Sequence, residues 1–195
     1  MKLAEMTMKA GSLDYNLSRY FKRYCDDHSK FEHVGDIEHY KVLKDQDIYF
    51  LTTSDVGVAF FEVKVYGESE DLPYKNSSLI NVVYVDAPFR GKNILEKFIW
   101  FLKKHESSSK ILMGDVHSAM MVSAIQKLSK RFDTSWVKKD QKIKYDPAKL
   151  DDFYNSSGTT GWQIMFENSG IFENWPRFFN DSSPDFRQLY DWLIE

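Results

Sequence analysis

One part of the chain constrains the fold more than any other: two apolar runs separated by a glycine-containing turn and an amphipathic segment. Residues 79–86 (LINVVYVD) are almost entirely apolar and rich in β-branched side chains, which is typical of a strand buried on both faces. The turn APFRGKN follows, and residues 110–114 (KILMG) form the second apolar run. Between them, apolar residues recur at helical spacing, namely Ile94, Leu95, Phe98, Ile99 and Leu102. Strand, helix and strand in this order predict a parallel strand pair joined by a crossover.

A β-hairpin is predicted immediately before this crossover. Residues 48–54 and 58–66 have strand-like composition, and residues 55–57 supply the turn. In the second strand, apolar side chains alternate with Glu62 and Lys64. An antiparallel hairpin beside a parallel pair makes the sheet mixed. The predicted fold class is therefore α/β (α+β), with a central mixed β-sheet flanked by helices.

The two ends of the chain complete the predicted architecture. A helix is expected over residues 13–27, and the polar residues 28–46 hold a short helix or strand. Residues 134–139 and 162–167 are predicted strands, so the first domain is assigned to residues 1–167.

The last part of the chain is predicted to be an extension of that domain. Residues 168–195 are rich in aromatic side chains, and Ser183 and Pro184 are typical of the start of a terminal helix. We expect this extension to pack on the domain or on a partner, and its aromatic surface is a candidate contact for a homo-oligomer.

Composition excludes several classes of function. A net charge of -3 and a pI near 6.0 argue against nucleic acid as a partner. No stretch has the ~18 apolar residues of a membrane span, so no membrane association is expected. Cys25, the single cysteine, cannot form an internal disulfide; it lies on the apolar face of a predicted helix and is interpreted as a core residue. The histidines lack metal-ligand spacing, so no metal is assigned, and a cytoplasmic location is expected.

The element order and the strand–PFRGKN–helix junction together resemble the GNAT superfamily of N-acetyltransferases. The resemblance extends over residues 13–167 and is strongest over residues 79–132. In that family an Arg/Gln-x-x-Gly-x-Gly/Ala loop and the following helix N-terminus bind the pyrophosphate of acetyl-CoA. Amide donors at a helix N-terminus favour an anion, and glycine lets the backbone approach it closely. The resemblance implies a GNAT-like fold and acetyl-CoA as a co-substrate.

The family's cofactor-binding residues can be transferred to this chain one by one. Arg90 matches the leading arginine, and Gly91 and Lys92 match the Gly-Lys pair that commonly follows it. Asn93 stands where the first motif glycine belongs, and Leu95 stands at the second small position, where it blocks the phosphates or points into the core. The strand that pairs with the pantetheine arm matches residues 83–85. The cofactor-binding residues that the resemblance implies are Val83, Val85, Arg90, Gly91, Lys92, Asn93, Ile94 and Leu95.

The residues implied for catalysis are less complete. Leu128 occupies the position of the tyrosine that often serves as general acid in the family, and no asparagine occurs between residues 110 and 132. Glu62 is a candidate base for the acceptor amine, with a solvent-facing glutamate paired with Lys64 or a cross-strand cation as the alternative. His117, between a strand and a helix, is a candidate acid or base, with a role near a helix cap as the alternative.

Two hypotheses follow from these residues. The first is an acyl-CoA-dependent N-acetyltransferase that transfers the acyl group directly to an amine of a protein or a small molecule. The second is a catalytically inactive GNAT-fold binding or structural protein. A bacteriophage protein of the second type would be a virion component or a host-directed factor, located in the virion or the host cytoplasm.

Overall fold

The computed structural model describes residues 13–71, 74–106, 108–114, 119–138, 141–150 and 162–167. Helix α1 spans Leu13–Asp26, α2 spans Ile94–His105 and α3 spans Ala119–Leu128. The strands, in chain order, are β1 (Glu32–Ile37), β2 (Tyr40–Asp45), β3 (Ile48–Thr53), β4 (Val56–Tyr66), β5 (Ser77–Val85), β6 (Lys110–Met113), β7 (Asp133–Lys138), β8 (Gln141–Lys144) and β9 (Gln163–Glu167).

These nine strands form one mixed sheet in the order β1-β2-β3-β4-β5-β6-β9-β7-β8. The first five strands run as antiparallel neighbours, as expected for consecutive hairpins. β5 and β6 are parallel, and α2 is the crossover between them. β9, the last described strand, lies between β6 and β7 and pairs antiparallel with both. The predicted fold class, a central mixed β-sheet flanked by helices, is confirmed.

The two faces of the sheet bury separate apolar clusters. On one face, Phe98 of α2 stacks on Phe61 of β4 with 3.8 Å between ring centroids, within the larger core. On the other face, Phe21 of α1 packs against Tyr84 of β5 with 4.9 Å between centroids. Because side chains of a strand alternate between faces, β4 and β5 contribute to both clusters. Both helices are therefore held by burial of aromatic side chains.

Several sequence-based expectations need correction in detail. Residues 28–46 contain two strands: β1, whose polar side chains are typical of a strand at the edge of a sheet, and β2, which pairs with β1 and β3. β8 was not predicted, and all four of its residues are exposed. Cys25 is exposed rather than in the core, although its sulfur lies against Gly57 of β4. The terminal helix and residues 168–195 lie outside the described residues.

β5 is buried on both faces over only part of its length. Its first four residues, from Ser77 to Ile80, are buried, whereas Asn81 is exposed and Val82, Val83 and Val85 are partly exposed. The expectation of a strand buried throughout is therefore wrong for the second half of β5. Among the described helices, none is long and apolar enough to cross a membrane.

Candidate functional site: a cavity at the open edge of strand β5

The sheet opens where β5 and β6 part. Their parallel pairing covers residues from Ser77 to Ile80 of β5, and β6 ends at Met113, opposite Ile80. Glu62 of β4 pairs with Val82 and Val63 pairs with Ile80, so Asn81 is an extra residue that forms a β-bulge. A bulge bends and twists its strand. In the part of the chain that the structure describes, the β6 side of β5 has no strand partner from Asn81 to Val85.

A cavity of about 340 Å³ lies at this open edge. Its walls come from the end of β5, the loop between β5 and α2, the first turn of α2, and α3, and α1 adds one residue. Most lining side chains are apolar, and polar groups are concentrated at the loop and on α3. The lining residues are Leu17, Val83, Tyr84, Val85, Phe89, Arg90, Gly91, Asn93, Ile94, Leu95, Glu96, Met120, Met121, Ser123, Ala124, Lys127 and Leu128.

Seven of the eight residues implied for cofactor binding line this cavity; the exception is Lys92. They belong to the end of β5, to the loop that follows it and to the first turn of α2. The structure thus places around one volume seven of the residues that the family resemblance implies for cofactor binding.

The loop passes through tight turns, in which several of its own amides are hydrogen-bonded, into the first turn of α2. A 3₁₀ turn over Ala87–Phe89 starts it, Gly91 has φ +79°, and Asn93 adopts the left-handed conformation with φ 55°. The amide of Lys97 donates to the Asn93 carbonyl at 3.0 Å, which is the first hydrogen bond of α2. Helix geometry provides no carbonyl for the amides of residues 94–96. These amides and the positive end of the helix dipole suit an anion.

Leu95 packs in the core and also borders the cavity. Its side chain is 8% exposed and belongs to the large core cluster, as does that of Ile94. The two alternatives for Leu95 are therefore resolved in favour of the core, because the position also belongs to the apolar stripe of α2. Asn93 takes the left-handed backbone that a glycine would otherwise supply. Both departures from the family motif are compatible with an open loop.

Charges around the cavity are predominantly positive. Arg90 Nε donates to the Val85 carbonyl at 3.0 Å, which holds the guanidinium beside the end of β5. Lys92 lies over the Phe89 ring, with 5.0 Å from Nζ to the centroid. Glu96 is the acidic side chain among the lining residues, and it accepts a hydrogen bond from Arg131. Lys127 adds a further cation from α3.

Of the two candidate catalytic residues, the structure describes Glu62 alone. Glu62 is not among the lining residues; it lies beside the bulge, where Asn81 Nδ2 donates to its Oε1 at 3.4 Å. His117 lies outside the described residues. Leu128, at the position of the family's tyrosine, is buried and lines the cavity. The role of Glu62 and His117 in catalysis stays a prediction.

A second group of titratable side chains lies at the other end of α2. The buried hydroxyl of Tyr49 donates to Glu106, which also accepts from Lys44 Nζ at 2.8 Å. Burial opposes ionisation of Glu106, but the bonds from Lys44 and Tyr49 outweigh it and lower the pKa of this carboxyl. Burial and the Glu106 bond raise the pKa of Tyr49. A 12-residue helix is about 18 Å long, so this group ties α2 to the sheet and is remote from the cavity.

Sequence reasoning missed the wall that α3 contributes. Met120, Met121, Ser123 and Lys127 carry no motif, and their place at the cavity follows only from the position of α3 in the fold. The family resemblance placed one residue of α3, Leu128, at the site, but no feature of the sequence indicated that these four residues border the same cavity. Among the described residues, no group of three or more His, Cys, Asp or Glu side chains is placed to hold a metal ion.

Comparison with known proteins gives no match in sequence: no family model and no curated protein matches the chain. In fold, the chain resembles solved N-acetyltransferases. N-acetylglutamate synthase from Neisseria gonorrhoeae, complexed with coenzyme A and N-acetyl-glutamate, is 11% identical over 83% of this chain, with a TM-score of 0.41. Diaminobutyrate acetyltransferase from Paenibacillus lautus, in complex with L-2,4-diaminobutyric acid and coenzyme A, is 9% identical over 80% of this chain, with a TM-score of 0.40.

An N-acetyltransferase from Staphylococcus aureus is 15% identical over 77% of this chain and 72% of its own, with a TM-score of 0.33. The match covers 90% of the diaminobutyrate acetyltransferase. The chain spans about a third of the N-acetylglutamate synthase, of which 34% is covered.

Proposed function

We propose that this chain binds a CoA thioester in the cavity at the open edge of β5 and transfers its acyl group directly to an amine. One observation carries the proposal. Val83, Val85, Arg90, Gly91 and Asn93, chosen from a sequence motif for CoA, line the same cavity together with the first turn of α2. A chance basic loop would not be expected to enclose a volume with the size and apolar lining of a small-molecule site.

The pantetheine arm and the diphosphate of a CoA thioester each have a matching wall. The pantetheine arm carries amides, and every second N–H and C=O of β5 beyond the bulge points away from β4, as antiparallel geometry requires. These groups can pair with the arm as a strand would. The diphosphate suits the amides of residues 94–96 and the Arg90 guanidinium. The methylene groups of the arm suit the apolar side chains of α3.

Direct transfer needs no covalent intermediate on the protein. The neutral amine attacks the thioester carbonyl, the C–S bond of the resulting intermediate breaks, and the amide and the free thiol of CoA are formed. The proton lost by nitrogen reaches the sulfur, directly or through a general acid. A backbone N–H of β5 can stabilise the oxyanion. Glu62, near the bulge, is proposed to take the proton of the incoming ammonium through water. We propose acetyl-CoA as the donor and a protein or small-molecule amine as the acceptor.

Calorimetric titration with CoA and acetyl-CoA tests binding. We expect micromolar dissociation constants (about -8 kcal/mol) for the unaltered protein and at least about tenfold weaker binding for Arg90→Ala, since the guanidinium faces the cavity. Lys64→Ala is the matched control, because Lys64 is an exposed cation on β4 outside the cavity. This variant should bind as the unaltered protein does.

The absence of binding at millimolar ligand would overturn the proposal. It would favour the second hypothesis, a GNAT-fold binding or structural protein without catalysis. If the protein binds CoA but transfers no acyl group to any of a panel of primary amines, the proposed CoA site stands and the proposed enzymatic activity is wrong.

A further inference from the structure

Lys127 faces the cavity from a wall that the loop does not form. It lies in the last turn of α3, and its side chain is exposed. Two other cations are engaged: Lys97 of α2 pairs with Glu38 at 2.7 Å, and Arg131, just after α3, pairs with Glu96. Among the described residues, no hydrogen bond or ion pair involves the ammonium of Lys127. An uncompensated cation beside an apolar cavity is available to an anionic ligand.

The packing of α3 fixes the position of this lysine. Leu128, the next residue, is buried in the core. The amides of Arg131 and Phe132 both donate to the Leu128 carbonyl at 2.9 Å, which closes the helix end in a tight turn. From that turn Arg131 reaches Glu96 in the first turn of α2. The last turn of α3 is therefore tied to the end of α2 whose amides are available.

The Arg131–Glu96 ion pair also affects the net charge of the cavity lining. Glu96 would repel a phosphate at the start of α2, and Arg131 neutralises it. Arg90 and Lys127 then remain as two cations of the lining, one on the loop and one on α3. A diphosphate carries two negative charges at neutral pH, so the two cations match it in number.

We infer that Lys127 is a phosphate-binding residue, which contacts the diphosphate of the CoA thioester from α3 while Arg90 and the amides at the start of α2 contact it from the other side. This inference rests on the proposed function. It adds a residue from a second element to the site, and it predicts that affinity depends on the approach of α3 to α2 as well as on the loop. Lysine suits this role as a point charge at the mouth of the cavity.

Titration of Lys127→Gln with two ligands tests the assignment. CoA carries the diphosphate and a ribose phosphate, whereas dephospho-CoA keeps only the diphosphate. We expect Lys127→Gln to weaken both ligands equally, by about tenfold, because a charge-assisted contact to the shared group is lost. Lys130→Gln is the control, since Lys130 is an exposed cation in the turn after α3 that does not line the cavity. It should bind both ligands as the unaltered protein does.

Each other outcome overturns the inference in a distinct way. Equal affinities for Lys127→Gln and the unaltered protein would make Lys127 a solvated surface residue and leave the proposed function intact. A loss for CoA alone would assign Lys127 to the ribose phosphate instead of the diphosphate. Failure of the unaltered protein to bind either ligand would remove the proposed function and the inference with it.

Discussion

Two residues of the loop between β5 and α2 have a left-handed backbone, and they carry different side chains. Gly91 has φ +79° and Asn93 has φ 55°. A side chain at positive φ costs roughly 1–2 kcal/mol, less for asparagine. Asn93 thus shows that the loop conformation does not require glycine at that position. At Gly91 the conformation is available without cost only to glycine, although a Cβ there would meet no neighbouring atom.

We predict that Gly91→Ala destabilises the loop by about 1 kcal/mol and weakens CoA binding severalfold, because the strain is in the backbone. Gly67→Ala is the matched control: a Cβ there also meets nothing within 4 Å, and Gly67 lacks the positive φ. It should leave the free energy of unfolding unchanged or slightly higher. Urea unfolding and calorimetry measure both effects. If the two variants behave alike, backbone strain does not set the shape of the loop.

Lys103, at the end of α2 remote from the cavity, gives a prediction on pH. Burial lowers the pKa of Lys103 to about 8 from the ordinary 10.5, with partial opposition from Glu167. Below pH 8 the lysine is charged in both the folded and the unfolded state, so the cost of burying the charge is fully present. Between pH 8 and 10.5 the unfolded state binds more protons, and stability rises with pH.

The free energy of unfolding of the unaltered protein should therefore rise relative to that of Lys103→Met as the pH increases from 8 to 10.5. Denaturant unfolding of both proteins at several pH values isolates the contribution of this one group. Lys75→Met, at an exposed position, should show no such trend against the unaltered protein. A difference between the unaltered protein and Lys103→Met that stays flat over this range would contradict the prediction.

At the scale of secondary-structure elements, the sequence predicted the strands and helices whose pattern of apolar residues is local. The apolar runs of β5 and β6 and the stripe of α2 fall at the expected positions, because strand and helix periodicity are properties of neighbouring residues. β1, β2 and β8 lie near or at the edges of the sheet, where polar side chains remove the strand pattern. The bulge at Asn81 was not predicted, since an extra residue changes pairing without changing composition.

The residues of the candidate site divide in the same way, into those that a local pattern predicts and those that depend on tertiary packing. The loop and the end of β5 form a continuous segment that a motif can identify, so residues such as Arg90 and Gly91 were predicted. The contribution of α3 depends on tertiary packing, so Lys127 and Ser123 were missed. Leu95 was ambiguous because the motif position and the apolar stripe of α2 coincide there, and only its burial decides between them.

The bulge also gives a prediction at this scale. Without Asn81, Ile80 and Val82 become neighbours, and the pairs Val63–Ile80 and Glu62–Val82 form a regular ladder with every side chain on its present face. We expect deletion of Asn81 to leave the thermal midpoint within about 4 °C (~1 kcal/mol). CoA binding should weaken by at least about tenfold, because a straight β5 closes the edge.

Asn81→Ala is the control for this deletion. It keeps the extra residue and removes only the side chain that contacts Glu62, so CoA binding should persist. Unaltered affinity after the deletion would mean that the bulge does not keep the edge of β5 open.

At the scale of the whole molecule, the position of β9 sets the shortest chain that can fold. β9 is late in the sequence but lies between β6 and β7, so the sheet is interrupted without it. Ile164 and Phe166 of β9 are fully buried in the main core. Loss of two such side chains costs several kcal/mol, which is comparable to the whole stability of a domain. The domain assigned to residues 1–167 ends with the last residue of this strand.

We predict that a chain truncated after residue 167 retains a cooperative thermal transition and CoA binding, whereas truncation after residue 161 abolishes both. Circular dichroism and calorimetry of the two truncated chains measure this directly. Light scattering of the 1–167 chain beside the full-length protein tests whether residues 168–195 form a homo-oligomer contact, since loss of an oligomer on truncation is then expected. If the 1–167 chain fails to fold, the extension is part of the core and the division at residue 167 is wrong. If both truncated chains fold, β9 is dispensable, and the single nine-stranded sheet is not the cooperative unit that its strand order implies.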